Sequence, residues 1–315
     1  MPFDGDIILR LYETIPGRYA IQGTVYSTIA VIIINSIKKS WNINSPVILQ
    51  RLHFIPIVMP PLTIPLYYLL NPSRNSAEWR LRALVDVEGI LTIEYAGINI
   101  GMVILFLMIL TALIFFLQET IPVIKNITMT KREEEKRIIK TFDINFFDQK
   151  QEVKIIEDNE YIIFSSTGIR PCIYVSTALI NDLSEEELDA VLAHEAAHIL
   201  RGKRPSLITV FIFRVMMFFN PVVLIEFRKA VQEEEKICDR MALKITGNPA
   251  AFMSALKRFI HEGNGKSGSF NESSHNLLIK ERLEELSSIE EPENTGILPL
   301  ALAIISTGVI NYFIV

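Results

Sequence analysis

The sequence predicts a mainly α, multi-pass membrane protein with one small soluble α+β domain on the cytoplasmic side. Three observations lead there. Of its 315 residues, 50% are hydrophobic and only 21% charged, with a mean hydropathy of +0.30, whereas soluble chains carry roughly 25% charged residues. The apolar residues are gathered into a few long charge-free stretches instead of being scattered at a helix or strand period. From Lys125 to Glu293 the texture changes to charged, capped, amphipathic segments. Disorder is excluded, because unfolded segments lack apolar content. Cys172 and Cys238 are the only cysteines, so no disulfide scaffold is expected. A net charge of −5 gives no basic stripe for a nucleic-acid partner.

A membrane helix needs about 20 mostly apolar residues. Tyr19 to Ile37 is charge-free and closed by Lys38-Lys39, and its Gln22, Thr24, Ser27 and Asn35 suit packing against other helices. Leu52 to Ser73 is also charge-free but holds Pro56, Pro60, Pro61 and Pro65. Prolines sit in a membrane helix only where neighbours satisfy the freed carbonyls. The segment reads as kinked or re-entrant, with crossing favoured. Ile98 to Leu117 is the cleanest span, and Asn294 to Val315 has no charge. The expected organisation is an N-terminal membrane region 1–120, a soluble domain 121–293 and a final membrane helix 294–315. Asp4, Asp6 and Glu13, with no small-residue cleavage site after the first run, argue against a cleaved leader.

Orientation follows from Lys and Arg in short loops. Residues 38–51 carry Lys38, Lys39 and Arg51 without an acid, and residues 125–150 carry seven Lys or Arg from Lys125 to Lys150. Both loops prefer the cytoplasm. The N-terminus and residues 74–94 then lie outside, against the grain of Arg74, Arg80 and Arg82.

Within the soluble region, Lys131 to Lys140 reads as a charged helical connector. Tyr161 to Ser165 and Cys172 to Ser176 read as a hairpin-like pair of strands. Ser184 and Glu187 form a capping box for a helix to about Leu200, ending near Gly202. Asn220-Pro221 caps a second helix, whose apolar period (Phe227, Ala230, Val231, Ile237, Cys238, Met241, Ala242, Ile245) runs to Gly247. A third helix covers about Pro249 to Ile260, residues 263–274 form a loop, and Leu277 to Leu286 is a last short helix.

The capped helix contains His194-Glu195-Ala196-Ala197-His198. Histidines at i and i+4 share a helical face and reach one metal ion, with the glutamate placed to take a proton from a bound water. Zinc requires a third protein ligand and an open position. A third histidine six residues past His198, with a glycine three past it, is excluded because Arg204 and Arg201 stand there. The remaining solution is a glutamate on the helix after Pro221, from Glu226, Glu233, Glu234 and Glu235. Helical phase places Glu234 and Glu235 near the apolar face and the other two farther round, and does not choose between those two. Two of the three consecutive glutamates are expected to form a solvated charge run. Asp239, one turn after Glu235, is placed to hold a ligand histidine from behind.

His194-Glu-Ala-Ala-His198, Asn220-Pro221 and Glu235-Lys-Ile-Cys238-Asp239 together resemble the BlaR/MecR-type membrane metallopeptidases. Gly168-Ile-Arg-Pro171, Ile173-Tyr-Val-Ser176 and Leu183-Ser-Glu-Glu-Glu-Leu188 match their lead-in to the zinc helix. The related HtpX and CAAX-type proteases share this core and close it with a His-Pro segment and an arginine. His275 and Arg282 are similar, although Asn276 replaces the proline. The resemblance covers about residues 160–290. It implies a zincin-like α+β peptidase of the gluzincin type, with one zinc ion on His194, His198 and Glu235, Glu195 as general base, and a protein or peptide substrate. It decides for Glu235 over Glu234. His275 or Arg282 is then placed to stabilise the oxyanion. BlaR/MecR receptors continue into an extracellular antibiotic-sensing domain, whereas this sequence stops at Val315, so β-lactam sensing by these residues alone is not expected.

Pro205 to Ile225 is apolar apart from Arg214 and lies between His198 and Glu235. One crossing would separate the ligands across the membrane, and two would need about 40 residues. The segment is therefore expected to be a buried helix, a re-entrant hairpin or an interfacial segment, with Arg214 snorkelling to the surface. The sequence thus points to a multi-pass cell-membrane protein hydrolysing peptide bonds at the cytoplasmic face by zinc-activated water. The alternatives are an antirepressor-type signal transducer whose output is cleavage of a transcriptional repressor, or a non-catalytic zinc scaffold. The intact Glu195 argues against the scaffold.

Overall fold

The computed structural model describes residues 6–117, 138–166, 171–202, 205–263 and 297–315. In chain order they form α1 (Asp6–Glu13), α2 (Ile15–Ser40), α3 (Pro46–Leu70), a 3-10 turn (Pro72–Asn75), α4 (Ala77–Arg80), α5 (Val87–Leu91), β1 (Glu94–Tyr95), β2 (Ile98–Asn99), α6 (Ile100–Phe115), β3 (Ile138–Phe146), β4 (Gln149–Ile156), β5 (Ile163–Ser166), β6 (Cys172–Ser176), α7 (Thr177–Asp182), α8 (Glu185–Gly202), α9 (Pro205–Met216), α10 (Pro221–Thr246), α11 (Pro249–Gly263) and α12 (Ile297–Tyr312). The protein is mostly helical with a small sheet. Its contacts divide into two units, and one of the boundaries falls within α10, between Glu233 and Glu234.

The first unit comprises Met1–Lys125, Ser206–Glu233 and Glu293–Val315. Among the described residues, α2 and α3 are long and apolar enough to cross a membrane, while α6 and α12 are shorter apolar helices. The second of these, read from sequence as kinked or re-entrant, is one helix from Pro46 to Leu70 with all four prolines inside it. A proline at position 60 has no N–H for the carbonyl of residue 56. The Ser27 hydroxyl on α2 donates to that Pro56 oxygen at 2.8 Å, and Ser27 in turn accepts from Asn220 Nδ2 at 3.1 Å. A neighbouring helix thus supplies the donor that the proline lacks.

Asn220 also caps α10, its Oδ1 accepting from the Val222 and Val223 amides at 3.0 and 3.3 Å. The residues before it form α9, a helix of 12 residues, about 18 Å long at 1.5 Å per residue and so too short to cross about 30 Å of hydrocarbon. Ile208, Phe211, Ile212, Val215 and Met216 on α9 are exposed. Arg214 does not snorkel. It is fully buried, with its guanidinium 4.8 Å from the Phe115 ring centroid and 6.0 Å from that of Phe227. Two aromatic faces hold the cation inside the unit.

Arg74 is likewise fully buried. It donates from Nε to the Tyr312 carbonyl at 2.9 Å and from Nη2 to that of Asn311 at 2.8 Å, at the C-terminal end of α12. A cation there meets the carbonyls a helix leaves unpaired and complements its dipole.

The apolar period expected along α10 holds only in part. Val231 and Ile245 are exposed, whereas Glu226 and Glu233 are buried, so the acids placed farther round lie on the inner face. Glu226 is compensated by His53 of α3, with His53 Nδ1 2.6 Å from Glu226 Oε2, and by Lys229 at 2.7 Å.

The second unit comprises Asn126–Pro205 and Glu234–Pro292. Its sheet has the order β3-β4-β6-β5, with β4 and β6 parallel and the outer pairs antiparallel. The β5–β6 pair is the one expected. The β3–β4 hairpin is not, and the described end of the expected helical connector, Ile138 to Lys140, belongs to β3. The alternation Phe142, Ile144, Phe146 is a strand period. The turn Phe147-Asp148, with both φ at 55°, lacks the usual Gly or Asn of such a turn.

The capping box at the start of α8 forms as expected. Ser184 N donates to Glu187 Oε2 at 2.9 Å and Glu187 N to Ser184 Oγ at 3.3 Å. Val153, Ile173 and Val175 of the sheet pack with Val191, Leu192, Ala196 and Ile199 of α8, and Ala190 packs with Leu243, Phe252 and Leu256. The metal-motif helix is therefore clasped between the sheet and the helices α10 and α11. The expected loop 263–274 and short helix Leu277 to Leu286 lie outside the described residues, apart from Gly263, which ends α11.

Candidate metal centre

The site is built from one helical spacing and one crossing. On α8, His194 and His198 lie four residues apart, and their Nε2 atoms are 3.0 Å from each other. Ala196 and Ala197 between them are fully buried, small enough for the helix to lie against its neighbours while both rings point the same way. Glu235 of α10 completes the triangle, with Oε2 3.6 Å from His194 Nε2 and Oε1 3.4 Å from His198 Nε2. Among the described residues this is the group of three His, Cys, Asp or Glu side chains whose donor atoms converge in this way. Ligands held tetrahedrally at about 2.0–2.1 Å from zinc lie about 3.3 Å from one another. The 3.0 Å edge between the histidines is close to that figure, and Glu235 brings one oxygen near each nitrogen, with one donor atom from each of the three residues within 4.8 Å of the others, so the donor set fits one metal ion with nitrogen and oxygen ligands.

The surrounding residues suit the same use. Asp239, one turn beyond Glu235 and buried, brings Oδ1 to 2.8 Å from His194 Nδ1. A carboxylate behind the ring fixes its orientation and leaves Nε2 facing the triangle. Burial, helped by the charge on His194, holds the His198 imidazole below its ordinary pKa, against the pull of Glu235, Glu195 and Glu234. A neutral ring is the form that binds a metal. Glu195 is half-buried on the same helix, near enough for its charge to act on His198.

Two neighbours were not singled out from sequence. Cys238, read there as one more apolar position, has Sγ 3.4 Å from His198 Nδ1. Its thiol is pushed far up by burial, with Glu234 and Glu235 adding to the effect, so it faces the ring as a neutral group. Arg201, which served only to exclude a third histidine, is buried and forked onto Glu234. Its Nε meets Oε1 and its Nη2 donates to Oε2 at 2.6 Å. The expected solvated charge run is therefore absent: Glu233 is buried and Glu234 is tied to a guanidinium. The signal for both neighbours was helical spacing, Arg201 lying one turn after His198 and Cys238 one turn after Glu235. His275 and Arg282 lie outside the described residues.

Ile163 of β5 packs against the core that holds α8; among the described residues β5 is an edge of the sheet, paired to β6, and its Phe164 stacks on Tyr174 at 4.9 Å. A family model described as BlaR1 peptidase M56 matches residues 78–284. No curated protein matches the chain.

Proposed function

This chain belongs to the BlaR1 peptidase M56 family, and from that premise we propose that it is an integral-membrane zinc metalloendopeptidase acting at the cytoplasmic face. The observation that carries the reading is the convergence of His194, His198 and Glu235, one donor atom from each lying within 4.8 Å of the others. These three would hold one zinc ion per chain. When bound, zinc supplies a Lewis acid for the scissile carbonyl and a water acidic enough to react near neutral pH.

The chain's own residues do the rest. We assign the ring proton of each histidine to Nδ1, donating from His194 toward Asp239 Oδ1 and from His198 toward the Cys238 sulfur, which leaves both Nε2 lone pairs inward. Glu195 makes no hydrogen bond or ion pair among the described residues, which leaves its carboxylate available to take a proton from water and pass it to the leaving amine. A substrate in extended form pairs its backbone with the open edge of β5. His275 and Arg282 are the proposed oxyanion donors, on sequence resemblance alone. We assign 1–120 to the N-terminal membrane region, 121–293 to the peptidase domain and 294–315 to a final membrane helix. The cytoplasmic side follows from the Lys and Arg of residues 38–51 and 125–150, and burial of Arg74 removes one charge that opposed it. A second reading, a signal transducer whose output is cleavage of a repressor, is favoured by a family description that names BlaR1, a sensor type, and uses the same chemistry.

The test compares the full chain with Glu195→Gln in detergent, for zinc per chain and for cleavage of an unfolded membrane substrate. Equal zinc in both with cleavage by the wild type alone is expected. Equal zinc with cleavage by neither rules out the enzyme.

A further inference from the structure

Glu234 and Glu235 are adjacent on α10, both half-buried, and nothing in their chemistry distinguishes them as metal ligands. Their partners do. Both oxygens of Glu234 are taken by the fork of Arg201, whose side chain is 5% exposed against 12% for Glu234. Glu235 instead turns its oxygens to the two ring nitrogens. A guanidinium fork matches a carboxylate bidentately and fixes its plane as well as its position, which an ammonium does not. Arg201 stands one turn beyond His198 on α8, so the residue that captures Glu234 is carried by the helix that carries both histidines.

We propose that Arg201 selects the third metal ligand, withdrawing Glu234 from the site so that Glu235 alone completes the triangle with His194 and His198. This rests on the zinc reading above and deepens it. Arg201 is a positioning residue: it acts on the site through a competing carboxylate. Without the fork, Glu234 loses the guanidinium that holds both its oxygens, one residue from a site that attracts carboxylates. It then has reason to turn toward the metal, as a substitute for Glu235 when Glu235 is absent.

The experiment is zinc titration against a chelating dye, on the full chain in detergent, for wild type, Glu235→Ala, Arg201→Met and Arg201→Met/Glu235→Ala. Glu235→Ala is expected to weaken zinc binding by at least about 10-fold. In the double variant Glu234 is released, and zinc binding is expected to recover by about 10-fold over Glu235→Ala. Adding Glu234→Ala to the double variant should remove that recovery. A double variant as weak as Glu235→Ala, or weaker, overturns the inference and leaves the fork a purely structural tie. Unchanged affinity in Glu235→Ala itself would instead overturn the ligand assignment on which the inference stands. Arg201→Gln, which keeps a neutral donor toward Glu234, replaces Arg201→Met should that variant not fold. If neither folds, the fork is a folding element and the selection role is rejected.

Discussion

Asp239 Oδ1 lies 2.8 Å from Nδ1 of His194, on the side of the ring away from the triangle. That contact sets which nitrogen of His194 faces His198 and Glu235. Replacing Asp239 by Asn keeps the shape but removes the charge that favours the Nδ1 proton. The expected result is a loss of about 10–100-fold in zinc affinity, measured by chelator competition, with helical content by circular dichroism unchanged. An affinity within twofold of wild type would deny Asp239 this role.

The proline-rich helix α3 depends on a hydroxyl from α2. Ser27→Ala leaves the Pro56 carbonyl without its donor and Asn220 Nδ2 without its 3.1 Å acceptor. A buried polar group left unsatisfied costs about 1–3 kcal/mol. Thermal unfolding in detergent should register a lower midpoint for Ser27→Ala, and Ser27→Thr, which keeps the hydroxyl, should recover most of it.

His53 and Glu226 form a buried pair in the first unit, 5% and 2% exposed. Removing one partner strands the other, at a cost of about 3–5 kcal/mol. Glu226→Leu is expected to destabilise strongly through the stranded His53, since Lys229, itself 41% exposed, loses its partner at little cost. His53→Leu/Glu226→Leu should be more stable than either single variant, since no uncompensated charge remains. Additive losses in the double variant would count against the pairing.

Glu187 at the start of α8 is held below its ordinary pKa of 4.5. Burial pushes it up, but hydrogen bonds from Ser254, the Ser184 amide and Arg258, with the charge of Arg258, prevail. Because the folded value lies below the unfolded one, this contribution to stability is present above about pH 4.5 and is lost as pH falls through the folded value. Glu187→Gln should therefore be less stable than wild type near neutral pH. The gap should close on acidification below the ordinary carboxylate range. A gap independent of pH would mean that the side chain acts through shape and not charge.

Much of this was legible in sequence where the signal is local. The capping box Ser184/Glu187 and the Asn220-Pro221 start depend on side chains three residues or fewer from the backbone groups they serve, so residue type alone announces them. The i, i+4 histidines are equally local. The hairpin of β3 and β4 was missed because its turn, Phe147-Asp148, carries no glycine or asparagine. The buried acids of α10 are not visible in its apolar stripe, which does not mark the inner face here. In this helix Glu226 lies inward because His53 waits for it, on a segment 173 residues earlier.

What the sequence by itself determined is therefore the apolar segments, the helix that carries His194, Glu195 and His198, and the set of acids from which a third ligand must come. Helical phase left Glu234 and Glu235 level and the family resemblance favoured Glu235; the tertiary structure shows what each of the two meets. Adjacent glutamates on a helix differ by about 100° in direction, and what each one meets depends on another helix brought alongside. Arg201 meets Glu234, the two histidines meet Glu235, and Asp239 meets the back of His194. Those three encounters are long-range, and they set Glu234 in an ion pair and Glu235 against two imidazoles.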